Sequence, residues 1–80
     1  MANTNVTQWT AKAVAQAVVN SGKSKRKVAI QAAIPERTFD RKLRGGSDFT
    51  WDELLRVADV TGVNPSQFTP PIFQISREVA

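Results

Sequence analysis

All four glycines and all four prolines of this 80-residue chain fall at breaks between stretches of helical character. Gly22, Gly45-Gly46 and Gly62 each follow a run with apolar residues three and four apart. Pro35 and Pro65 open new runs, and Pro70-Pro71 precedes a tail. Glycine adopts the left-handed conformation at a helix C-terminus at little cost, while proline is tolerated in a helix chiefly in its first turn. This punctuation predicts an all-α domain of five short helices joined by brief turns. Eighty residues suffice for one such domain and no more.

The first helix is expected from about Val6 or Trp9 to Asn20. Trp9, Ala13, Val14, Ala17 and Val18 form one apolar stripe, and its alanines allow a neighbouring helix to approach closely. Ser21-Gly22 ends it. The second helix follows Ser24, a good N-cap, and runs to about Ala32. It buries Val28, Ala29 and Ala32, with Ile30 as a shoulder. The third carries Pro35 in its first turn and reaches about Leu43. Ile34, Phe39 and Leu43 point inward, Thr38 lies on the border, and Glu36, Arg37, Asp40, Arg41 and Arg44 point outward.

Thr50-Trp51-Asp52-Glu53 is a capping box, with Phe49 and Leu54 placed as a hydrophobic staple. Leu54, Leu55, Val57, Ala58 and Val60 supply the buried stripe of this fourth helix. Asn64-Pro65 starts a short fifth helix, from which Phe68 closes over the core. Residues 1–69 thus make one domain. The tail, residues 70–80, reads equally as helix or strand and is the natural candidate for a dimerisation element.

The chain has no cysteine and no histidine. That excludes disulfides, cysteine–histidine zinc sites, thiol nucleophiles and imidazole bases. Asp48, Asp52 and Glu53 cluster in sequence, but Glu53 is accounted for by capping and so small a domain offers little cleft. "GGSDFTWDE" does not fit a calcium loop. No catalytic residue, metal site or cofactor is expected. No apolar run approaches the length of a bilayer span. Met1 to Gln8 is polar without a basic cluster, unlike a secretory signal.

The net charge of +4 is unevenly spread. Lys23, Lys25, Arg26, Lys27, Arg37, Arg41, Lys42 and Arg44 face only Glu36 and Asp40 between positions 23 and 44, a local +6. The rest of the chain is net −2. Regional positive charge points to a polyanionic partner more strongly than a high isoelectric point does. Lys25, Arg26 and Lys27 also oppose the dipole of the second helix, which suggests that an anion docks there. Two short helices around a brief turn, the second with a polar outer face, form the arrangement that places a helix in the DNA major groove.

From Ser24 to Phe68 the order of residues resembles the Cro/C1-type (XRE-like) helix-turn-helix family of phage repressors and small bacterial regulators. The matching pieces are Ser24, Val28-Ala29, Ile34, Thr38-Phe39, Arg41, Leu43 and Gly45, followed by "FTWDELLRVADVTGVNPSQF". The resemblance implies a compact lambda-repressor-like domain in a bacterial cytoplasm. Its function would be sequence-specific repression by operator occupancy. Its partner would be palindromic double-stranded DNA, bound by a homodimer or by a dimer formed on DNA.

Base-reading candidates are Arg37 and Arg41, with Glu36, Thr38 and Asp40 beside them. Arginine grips guanine with two hydrogen bonds, and carboxylates accept from cytosine N4. Lys25, Arg26, Lys27 and Arg44 are the phosphate-binding candidates, and Lys42 is expected to be peripheral. Trp9 and Trp51 are expected to anchor the packing rather than stack on bases. The chain departs from the family at Ala33, where glycine is usual, and at Lys25 and Glu36, where glutamine is common. Alanine fits the turn if its backbone stays near the helical region. The other readings are an architectural, excisionase-like or antitoxin-like DNA-binding protein, and a helical protein–protein adaptor.

Overall fold

Helix limits follow the caps. The computed structural model describes residues 2–70, with side chains from residue 6 onward. Helix α1 spans Ala2–Ser21, α2 Lys25–Gln31, α3 Glu36–Leu43 and α4 Trp51–Thr61, and a 3-10 turn follows at Pro65–Phe68. α1 begins earlier than its apolar stripe suggests, because no glycine or proline interrupts residues 2–5. The fifth element is a 3-10 turn rather than an α-helix, and the tail's role in dimerisation lies outside the described residues, apart from its first member, Pro70. Among the described residues, no helix is long and apolar enough to cross a membrane.

The Ser24 and Thr50 hydroxyls accept the amides of Lys27 and Glu53, and the Asn64 side chain accepts that of Ser66. Glu53 returns a bond to the Thr50 amide, completing the capping box. Pro35 sits at the N-cap of α3, just before the first turn rather than in it, and gives no side-chain cap.

α2 and α3 end in the same way. The Ile34 amide donates to the Ala29 carbonyl and Ala33 to Ile30. In α3, Gly46 donates to Arg41 and Gly45 to Lys42. This paired pattern needs a left-handed residue just past the cap. Gly45 supplies it at φ 82°, and Ala33 supplies it at φ 58°. The Ala33 backbone therefore does not stay near the helical region. Its positive φ is imposed by the double hydrogen bond that closes α2 and turns the chain into α3.

The core gathers Val14, Ala17 and Val18 of α1, Val28 and Ala29 of α2 with Ala32 at its C-cap, Phe39 of α3, and Leu54, Val57 and Ala58 of α4. Ile34, Phe49 and Phe68 close its edges, and both staple residues, Phe49 and Leu54, belong to it. Phe39 and Phe49 meet edge to face at 5.9 Å, a favoured aromatic geometry.

Three expectations fail at the margins of this core. Ile30 and Leu55 are exposed, and Trp51 is 55% exposed; Trp9 is half-buried. The inward face of α4 is set by Leu54, Val57 and Ala58. Leu55 lies about 100° round from Leu54, and Trp51 stands one turn before Leu55 on that same flank. Ile30 is likewise turned away from the Val28–Ala29–Ala32 face.

Candidate nucleic-acid interface

Three polar ties from α4 hold the basic segment in place. Glu53, Arg56 and Val60 are spaced three and four apart, so they share one helix face. Glu53 Oε1 accepts Lys42 Nζ of α3 at 2.6 Å. Arg56 Nη1 donates to the carbonyls of Ala32 and Ala33 at 3.0 and 3.3 Å, and its Nη2 pairs with Asp52 at 2.9 Å. The Val60 carbonyl accepts Lys23 Nζ at 2.9 Å, and that ammonium also donates to Gln31. α4 thus grips α3, the turn before it and the entry to α2.

Two of the eight cations in the basic segment are consumed by these ties. Lys42, expected to be peripheral, is only 9% exposed. It follows Phe39 by three residues, so the helical period turns it inward, and Glu53 is there to neutralise it. Burial pushes the Glu53 carboxyl up. The hydrogen bonds from Lys42 and the Thr50 amide outweigh that and hold it below its ordinary value. Lys23 serves the α2–α4 junction. Neither tie is a polyanion contact.

The other six cations, Lys25, Arg26, Lys27, Arg37, Arg41 and Arg44, are exposed. Every base-reading and phosphate-binding candidate lies on α2, on α3 or at the α3 C-cap. Arg37 and Lys27 make no side-chain hydrogen bond or ion pair with a described residue. Arg37, Arg41 and Arg44 follow one another at i, i+4 and i+7 along α3 and its cap, a single outward stripe. Thr38 is half-buried at its border, as expected. Glu36 approaches Arg26 only at 4.0 Å, and both are exposed.

Asp40 is placed differently. Its Oδ1 accepts Lys25 Nζ at 2.9 Å and its Oδ2 accepts Arg44 Nη2 at 2.9 Å. The Lys25 hydrogen bond, helped by the charges of Arg44 and Lys25, holds the carboxyl below its ordinary value against the opposing effect of desolvation. Asp40 is therefore ionised at neutral pH and engaged on both oxygens. A cleft of about 250 Å³ beside it is lined by Lys25, Glu36, Arg37, Phe39 and Asp40.

Gly46, not among the candidate residues, shapes the stripe. A Cβ there would lie 2.9 Å from Arg41 Cγ and 3.1 Å from the Arg41 carbonyl oxygen. The Arg41 stem runs back over this bare backbone, and its Nε reaches towards Ser47 Oγ at 3.5 Å. The signal was present in the sequence as the second glycine of Gly45-Gly46, since the helix stop alone needs only the first.

Among the described residues no group of acidic side chains is arranged to hold a metal ion. Compared with known proteins, the chain matches no family model, no curated protein and no solved structure.

Proposed function

We propose that this protein is a sequence-specific double-stranded DNA-binding repressor of the Cro type. α2 and α3 would act as a lambda-repressor-like helix-turn-helix, with α3 in the major groove. The observation that carries this reading is the outward stripe of Arg37, Arg41 and Arg44, flanked by Lys25, Arg26 and Lys27, on two short helices that α4 braces from behind. Arg37 and Arg41 would read bases, with Glu36 and Thr38 at their sides. The lysine–arginine cluster of α2 and Arg44 would meet phosphates. Binding would act by occupancy, excluding polymerase or a competing regulator. A two-fold dimer would set two copies of α3 about one turn of DNA apart.

Selection of bound sites from random duplex DNA, with the mass of each complex measured, tests this reading. The expected result is a palindromic consensus carried by two protein chains. Recovery of sequences with no consensus would replace the repressor with an architectural protein. The adaptor reading has one specific support, the exposed pair Trp51 and Leu55 one turn apart on α4. It predicts no duplex binding at all.

A further inference from the structure

The only aspartate on the α2–α3 surface is tied to two of its cations. Lys25 enters from the first turn of α2 and Arg44 from the C-cap of α3, and each sits 2.9 Å from a different oxygen of Asp40. Both cations are largely exposed, so phosphate can reach them. Each exposed pair is weak by itself, as solvent-screened surface ion pairs are. Any phosphate that recruits Lys25 or Arg44 must nonetheless compete with a carboxylate already in place. It must also approach that carboxylate's own charge. Glu36 makes a useful contrast, because it has the same charge on the same surface but only a 4.0 Å contact to Arg26.

We propose that Asp40 is a brake on sequence-independent binding: by holding Lys25 and Arg44 it weakens the grip of the surface on any DNA backbone, leaving Arg37 and Arg41 to decide where the protein stays. This rests on the DNA-binding reading above and assigns Asp40 a role other than base contact. The ammonium and guanidinium move between two acceptors, the carboxylate in free protein and phosphate on DNA. Asp40 is thus a positioning residue rather than a reader.

Affinity for random-sequence duplex, measured over a salt series, tests the brake. Asp40→Asn keeps the shape and removes the charge. It should bind random duplex severalfold tighter than wild type at low salt, with a salt slope steeper by about 1. Glu36→Gln should gain clearly less. In a chain carrying Lys25→Gln and Arg44→Gln, adding Asp40→Asn should gain no more than Glu36→Gln does, because the cations it would release are gone.

Asp40→Glu should restore wild-type behaviour, and Asp40→Ser answers the same question if the asparagine variant does not fold. Unchanged or weaker binding by Asp40→Asn, or an equal gain from Glu36→Gln, overturns the brake while leaving DNA binding standing. Failure of wild-type protein to bind duplex in a salt-dependent way removes the DNA reading itself, and the brake with it.

Discussion

Glu53 Oε1 accepts two hydrogen bonds, from Lys42 Nζ at 2.6 Å and from the Thr50 amide at 2.8 Å. One carboxylate oxygen thereby caps α4 and anchors α3 to it. The orientation of the arginine stripe depends on this joint, because Lys42 lies on the same short helix as Arg37 and Arg41. Lys42→Met strands a nearly buried carboxylate that keeps only its capping bonds. We expect a loss of about 2 kcal/mol, less than the 3–5 of a fully stranded charge. Thermal melting should show a fall on the order of 10 °C for a domain this size.

The same joint sets a pH dependence. The Glu53 carboxyl is held below its ordinary value in the folded protein. Its contribution is complete above the unfolded value of about 4.3 and is lost as pH falls through the lower folded value. Acid titration of stability should therefore be shallower in Glu53→Gln than in wild type across that window. Parallel curves would show that the joint does not stabilise the fold.

Ala33 carries a left-handed backbone that costs an L-residue about 1–2 kcal/mol. Glycine removes that cost and adds roughly 0.4–1 kcal/mol of unfolded-state entropy. Ala33→Gly should therefore stabilise the domain, by a net amount on the order of 0.5–1 kcal/mol. Denaturant midpoints check the sign. A lower midpoint would mean that Arg56, which donates to the Ala33 carbonyl, holds this turn without strain.

Gly46→Ala places a methyl group against the Arg41 stem. We expect duplex binding to weaken in this variant, and no further weakening when it is combined with Arg41→Ala. Additive losses would show that Gly46 acts on binding by some route other than Arg41.

Arg37→Ala and Arg41→Ala should each narrow the preference for the selected site over random duplex by roughly 1–3 kcal/mol, as loss of a base contact does. Equal losses on both DNAs would reassign the two arginines to phosphate.

The helix ends were legible because they depend on neighbours in sequence. Ser24, Thr50 with Glu53, Asn64, Gly22, Gly45 and Gly62 all act within a few residues of themselves. The outward placement of Arg37 and Arg41 followed from the period set by Phe39. Contacts between distant helices were not legible. The bonds from Arg56 to the Ala32 and Ala33 carbonyls arise only because α4 lies beside the α2–α3 turn. Lys42 reads as peripheral because its type outweighs its inward position, and Glu53 reads as accounted for by capping alone. The left-handed turn was hidden because alanine advertises no such conformation. Trp51 misled in the opposite sense, since a large apolar side chain at a helix start reads as an anchor.

The most direct measurement is the affinity of wild-type protein for duplex DNA between low and moderate salt. Four to six phosphate contacts per protomer, the number the exposed cations of α2, α3 and its C-cap can supply, should give a log–log slope of about −4 to −5 for each protomer bound. Affinity that does not change with salt would contradict a DNA-binding role for this surface.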